Sequence, residues 1–295
     1  MGGLKKKRNI GQIILHAVFL VISCIYIIPF WLVIAVSLTE ENAIAKYGYS
    51  LIPKVFSVKA YQMVFSDMTQ LLQSYKVTIL FTVVATTLSI VIMAVAAYPL
   101  ARATFRYRRF FTIFILITML FNAGMVPNYM LIVKYLHLND TIWAYIFPGL
   151  VSANYLLIIR TNYANLPVEL VEAAKIDGAT ELYICFKIMI PLSKPVLAST
   201  GFLFLVSKWN DWNTALLYIQ KVDLYSLQYL LQKILREAQY LQQMAAEGML
   251  LADEIFPTES YRYAMAVVAA GPVLVIFPFF QKYFSKGMTI GGVKG

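Results

Sequence analysis

This chain reads as an all-α polytopic membrane protein of six transmembrane helices, with both termini cytoplasmic and a polar helical hairpin between the fourth and fifth spans. Composition is the first reason: 60% of its 295 residues are hydrophobic and 14% charged, against roughly 45–50% and 25% in soluble domains. Length is the second, since six apolar runs reach the roughly 20 residues that a helix needs to cross a hydrocarbon core. The third is an uneven distribution of Lys and Arg between alternate loops.

The expected spans are about Ile13–Val36, Val77–Leu100, Phe110–Val133, Thr141–Ile159, Val196–Ile219 and Tyr261–Phe284. Asn154 interrupts the fourth, and Lys208 to Asn213 interrupts the fifth. Pro29, Pro99, Pro127, Pro148, Pro272 and Pro278 lie in or beside the spans, and each removes a backbone donor. In lipid the freed carbonyls must find partners on neighbouring helices or in a water-filled cavity, so kinked and mutually packed helices are expected.

One side of this layout collects Lys5 to Arg8, the turn Arg102 to Arg109, Arg160, Lys175, Lys187 and Lys194, and Lys282, Lys286 and Lys294. These are the larger share of the 25 Lys and Arg, and that side is therefore assigned to the cytoplasm. The net charge of +10 thus reflects topology and contact with anionic headgroups rather than nucleic acid. Lys5 to Arg8 precede an apolar run longer than the roughly 7–15 residues of a signal-peptide core, so an uncleaved anchor is expected.

Outside, Ser37 to Lys76 reads as a connector with a short helix near Val58 to Phe65, and Ser226 to Leu251 as an amphipathic helix. That helix could lie on the membrane or dock an external partner, and the spacing leaves both open. Cys24 falls in a span and Cys185 on the cytoplasmic side, which makes a disulfide implausible. His16 and His137 stand alone, and no triad, paired-carboxylate or H-E-x-x-H arrangement is present, so neither catalytic nor metal-ligating residues are expected.

The stretch Glu172 to Pro195 carries charges, a Gly and two prolines between greasy neighbours. Pro167 suits a first helical turn, Val168 to Asp177 reads as helix, and Gly178 as a C-terminal stop. Thr180 can cap a second helix, which Pro191 is expected to end. Glu172, Lys175, Asp177 and Glu181 would face solvent, with Val168, Val171, Ala174, Leu182, Phe186 and Ile190 available for packing.

Glu172-Ala173-Ala174, three residues, Gly178, nine residues, then Ile188-Met189-Ile190-Pro191 resembles the EAA loop of ABC importer permeases, in which Leu stands where this chain has Ile190. Asp177-Gly178-Ala179, the tail Lys286 to Gly295 and Trp209-Asn210-Asp211-Trp212-Asn213 are similar to maltose-type carbohydrate permeases, particularly the second of their two paired subunits. The resemblance covers nearly the whole chain. It implies a single permease domain over 1–295, with core spans over about 70–285 and the first span and outer connector over 1–69.

The partners it implies are a homologous second permease, two copies of a cytoplasmic ATPase and an extracytoplasmic solute-binding lipoprotein, all at a bacterial cytoplasmic membrane. Glu172, Ala173, Ala174, Asp177, Gly178, Ile188 and Pro191 would couple to the ATPase, and Gly291, Gly292 and Lys294 would touch it. ATP and Mg would sit on that partner and no cofactor on this chain, which has no G-x-x-x-x-G-K-[ST] phosphate loop and is not expected to be an enzyme.

Trp209, Asn210, Asp211, Trp212, Asn122 and Asn154 are candidates for a substrate path, with a Trp as a stacking platform for a sugar ring. Interhelical hydrogen bonding is the plainer reading of the same residues, with Lys208 neutralising Asp211 or both lying near the membrane interface. An ion-coupled secondary transporter would need inverted repeats and buried ionisable pairs, and neither is evident. A membrane enzyme would need a catalytic constellation.

Overall fold

The computed structural model describes residues 10–121, 123–247 and 258–287. Within them the chain is helical, with one isolated antiparallel bridge between Thr39 and Phe56. Three helices are long and apolar enough to cross a membrane: Ile14–Ser37 within α1 (Ile10–Ser37), α4 (Met68–Ala101), and Thr258–Tyr283 within α15 (Thr258–Gly287). Two bent pairs pass the same test if each counts as one span: Arg108–Leu120 with Met125–Tyr135, and Glu181–Leu192 with Lys194–Trp209.

The apolar run at Thr141–Ile159 is not one helix. It forms α7 (Trp143–Ile146) and α8 (Ala153–Ala164) around a turn at Pro148 and Gly149. Pro148 offers no N–H and Gly149 sits at φ +68, a conformation glycine tolerates, so apolar composition persists where helical hydrogen bonding stops. The run at Val196–Ile219 likewise breaks at Asn210 between α12 (Lys194–Trp209) and α13 (Asn213–Tyr218).

The described residues form two compact units. The smaller comprises residues up to Met68 and Lys233–Gly271. In it α2 (Glu41–Tyr47) and the short α3 (Lys59–Val64) follow α1, and Ala35, Val36, Ile44, Val64, Tyr261 and Met265 are buried. The Glu41 carboxylate accepts from the backbone N–H of Glu259 at 2.9 Å and of Ser260 at 3.0 Å. It thereby satisfies donors that the first turn of α15 leaves open, with the negative charge at the favourable end of the helix dipole.

The larger unit, Thr69–Gln232 with the residues from Pro272 on, is built on α4. Toward the start of α4, Val77, Phe81 and Ala85 pack with Ile132, Tyr145, Phe204, Ala215 and Tyr218, and Phe81 stacks on Tyr145 at 4.4 Å. Toward its end, Met93, Ala94, Ala97, Tyr98 and Leu100 pack with Leu156, Ile159, Val171, Ile184, Met189 and Leu197. Gly201 of α12 lies so close to α4 that a Cβ there would meet Ile90 at 3.3 Å, the small-residue approach expected of membrane helices. Arg160 Nε donates to the Leu100 carbonyl at 3.1 Å and so serves an orphan acceptor near the C-terminus of α4.

Asp140, at φ +54, staples the segment before α7 to the end of α13. Its N–H donates to the Tyr218 carbonyl at 2.9 Å, and its carboxylate accepts from the N–H of Gln220 at 2.6 Å and of Lys221 at 2.9 Å. These backbone donors, Lys221 first, hold the carboxyl below its usual pKa. The bonds therefore stabilise this loop above the ordinary carboxylate value of about 3.9 and are lost as pH falls through the lower folded value. Asp140→Asn, which tolerates the same backbone, should speed amide exchange at Gln220 and Lys221 at neutral pH and remove its acid dependence; hydrogen exchange between pH 3 and 7 measures both.

Candidate functional site

Two places in the larger unit bring the sequence-predicted residues together. The first is the hairpin. Its leading arm, α9 (Glu169–Ile176), ends at Asp177, and Gly178 follows at φ +79. The Gly178 N–H donates to Lys175 O at 3.0 Å and the Ala179 N–H to Ala174 O at 2.9 Å, the paired bonds of a Schellman stop. A Cβ added at Gly178 would meet nothing within 4 Å, so the demand for glycine is conformational rather than steric.

Thr180 caps the second arm by accepting from the Tyr183 N–H at 3.3 Å. That arm is α10 (Glu181–Ile184), a wide π-turn at Cys185–Met189, and α11 (Ile190–Leu192). It ends at Leu192, one residue past Pro191, and the chain bends there by 78°. Ile184, Cys185 and Met189 are buried, while Leu182 and Phe186, expected to pack, are exposed together with Val168.

Glu172, Ala173, Asp177, Gly178 and Pro191 are exposed, whereas Ala174, Ile188 and Ile190 are half-buried against the apolar cluster at the end of α4. The free surface of the hairpin mixes the carboxylates of Glu172 and Asp177 with the exposed side chains of Ile176, Leu182 and Tyr183. A rigid two-helix knob with an apolar centre and acidic flanks suits insertion into a protein groove better than contact with water.

The second place is a cavity of about 590 Å³. The turn Gly149 to Ser152 and the start of α8, with Asn154 and Tyr155, form one wall; the end of α12, with Phe204, Ser207 and Lys208, and the turn Asn210 to Asn213 form the other. Asn154, Asn210, Asp211 and Trp212 all line it, whereas Trp209 is buried near Tyr75, with ring centroids 6.5 Å apart, and does not. Asn122 lies outside the described residues, as do Gly291, Gly292 and Lys294.

Asp211 is held by α13: its carboxylate accepts from the Thr214 N–H at 3.0 Å and the Thr214 hydroxyl at 2.6 Å, the geometry of a capping group. Its neighbour Lys208, only 8% exposed, donates to the carbonyls of Tyr145 at 2.7 Å and Pro148 at 2.9 Å. Both acceptors lie where the fourth apolar run leaves helical geometry. Lys208 thus binds the break in that run to α12 and shapes the cavity from below. Sequence reading saw Lys208 only as a partner for Asp211; the available signal was a Pro-Gly pair inside an apolar run, which frees carbonyls, and a nearby intramembrane cation.

Among the described residues no group of three or more His, Cys, Asp and Glu is placed to hold a metal ion. The cavity offers aromatic faces, amide groups and one carboxylate, a lining suited to binding rather than bond cleavage. Lys208→Met would leave two buried carbonyls unpaired, at about 1–3 kcal/mol each, and should lower the thermal midpoint of the purified protein. Lys208→Arg should lower it less; thermal unfolding in detergent compares the two.

Residues 96–290 match the family described as "Binding-protein-dependent transport system inner membrane component". The chain is 39% identical over 275 residues to Protein LplC of Bacillus subtilis, covering 93% of this chain and 91% of that one. It is 35% identical over 289 residues to the polygalacturonan/rhamnogalacturonan transport system permease protein YtcP of the same organism, covering 98% and 100%. Among solved structures it is similar to a bacterial ABC transporter involved in the import of the acidic polysaccharide alginate, with a TM-score of 0.75, 26% identity, and coverage of 96% of this chain and 100% of that one. With a match that spans most of its length and includes both the hairpin and the cavity, this chain belongs to the family of binding-protein-dependent transport system inner membrane components.

Proposed function

We propose that the chain is one permease half of an ATP-driven importer that carries oligosaccharides or related carbohydrates across a bacterial cytoplasmic membrane by alternating access. The observation that carries this reading is the family match over 96–290, which contains the hairpin with its Schellman stop and its exposed acidic and apolar surface. The carbohydrate class rests on relatives named for polygalacturonan/rhamnogalacturonan and, at 28% identity, for arabinooligosaccharides.

In this reading the chain is a single permease domain of six spans with both termini cytoplasmic. The fourth span is the broken pair α7 and α8, and the fifth is α12 with α13. A homologous second permease completes the pathway, an extracytoplasmic lipoprotein delivers the sugar, and two copies of a cytoplasmic ATPase bind ATP and Mg. Glu172, Ala173, Ala174, Asp177 and Gly178 form the knob seated in the ATPase, Ile188 and Pro191 set the trailing arm, and the tail with Gly291, Gly292 and Lys294 reaches the same partner.

ATPase closure pushes on the knob. Because Val171, Ile184 and Met189 are packed against the end of α4, the displacement passes to the helices around the cavity, where Trp212 offers a face for stacking and Asn154 and Asn210 offer hydrogen bonds. Hydrolysis itself takes place on the partner, so this chain is a transport subunit rather than an enzyme.

Gentle purification through a tag on this chain from its native membrane, followed by mass spectrometry, should recover a second permease and an ATPase; recovery of this chain alone would overturn the reading. Gly178→Val forces a β-branched residue to φ +79 in open space. Insertion should be unchanged while uptake falls about tenfold, within the 5–150-fold range of typical coupling energies. Wild-type uptake in that variant would remove the hairpin from the coupling role.

A further inference from the structure

The hairpin touches α4 through apolar side chains, and apolar packing has no preferred direction. One polar contact joins them as well, and it lies outside the residues assigned to coupling. Glu181, in the first turn of the second arm, accepts a hydrogen bond from the hydroxyl of Tyr98 with one carboxylate oxygen. The other oxygen lies 2.5 Å from Nζ of Lys175 on the leading arm. A single carboxylate therefore bridges both arms of the hairpin and a membrane helix.

The two halves of this bridge have different environments. The Lys175 and Glu181 side chains are 40% and 56% exposed, so their ion pair is screened by solvent and contributes little alone. Tyr98 is 6% exposed, and its bond to an ionised acceptor is directional and half-buried. Tyr98 also stands two residues before Leu100, whose carbonyl Arg160 of α8 holds. The end of α4 is thus gripped from two sides, by α8 through Arg160 and by the hairpin through Glu181. The chain already connects α8 to the hairpin through Leu166 and Pro167, but nothing covalent connects the hairpin to α4.

We infer that Glu181 is a positioning residue for transport: it makes the two arms one rigid body and ties that body through Tyr98 to α4, so that displacement of the hairpin is delivered to α4 as well as to α8. The inference rests on the coupling role proposed above. It assigns to Glu181 and Tyr98 a task distinct from docking: they hold the knob to the membrane helices, whereas Glu172 to Gly178 hold it to the partner.

The test uses the whole complex, purified through a tag on this chain and placed in lipid nanodiscs. Cys24→Ser removes the exposed native thiol, Cys185 being buried, and Ser207→Cys places a reporter in the cavity wall. Maleimide labelling of Cys at 207 is followed with and without ATP and Mg, and phosphate release is measured in the same samples. With Tyr98 intact, ATP should change the labelling rate.

In Tyr98→Phe, hydrolysis should persist while the ATP-dependent change in labelling falls at least about fivefold, the lower bound of typical coupling. Glu181→Gln, which keeps an acceptor for Tyr98 and loses the ion pair, should fall between wild type and Glu181→Ala. Adding Tyr98→Phe to Glu181→Ala should change nothing further, because both remove the same bond. A full ATP-dependent change in Tyr98→Phe, or additive losses in the double variant, overturns the inference while leaving the coupling reading intact. An ATPase missing from the complex, or labelling indifferent to ATP with Tyr98 and Glu181 intact, overturns the coupling reading and the inference with it.

Discussion

A buried backbone carbonyl needs a donor, and the larger unit is organised by how that demand is met where helices stop. At Pro148 the fourth apolar run loses a donor and turns at Gly149, and the ammonium of Lys208 reaches from α12 to take up the carbonyls of Tyr145 and Pro148. A buried cation is costly in such a place unless its donors are used, and here two are used at once. The same contact that satisfies the backbone joins two broken segments and leaves between them the polar, aromatic cavity that faces Asp211 and Trp212. At the other end of α4, Arg160 does similar work for the Leu100 carbonyl.

The hairpin follows a different logic, one that suits the coupling role proposed for it. Its leading arm stops on paired bonds around Gly178, its trailing arm starts on the Thr180 hydroxyl, and its inner side chains are buried against α4 and α8. Stiffness of this kind is what transmission of force requires: a soft loop would absorb displacement locally. The trailing arm runs through the π-turn at Cys185–Met189 to Leu192, with Leu182 and Phe186 exposed on its free face.

Much of this was legible along the chain. The hairpin arms, their stop at Gly178 and the cap at Thr180 come from turn and capping chemistry that acts over a few residues. The short helix after Val58 and α14 (Leu227–Ala246) follow from local periodicity. Other features were not legible for definite reasons. Thr141–Ile159 has the composition of a span, and although Pro148 was expected to cost it a donor, the full break into α7 and α8 shows only in the structure, with Gly149 at φ +68. The packed face of the trailing arm was misread because Ile184, Cys185, Ile188 and Met189 form one apolar face and Leu182 and Phe186 another, and only the neighbouring helices decide which is covered. Trp209 and Trp212 stand three residues apart near the end of α12, and only the neighbours of α12 separate the buried ring from the one that lines the cavity.

By itself the sequence determined that the chain is mostly apolar helix, where the hairpin must turn, and that an EAA-like hairpin stands between the fourth and fifth apolar runs. Those properties depend on residues close together in the chain. Tertiary structure decided which distant polar groups meet: Lys208 with the carbonyls of Tyr145 and Pro148, Asp140 with the amides of Gln220 and Lys221, and Glu181 with Tyr98. The reason is physical. A hydrogen bond is specified by distance and direction, and these exist only once packing has set which helices lie side by side.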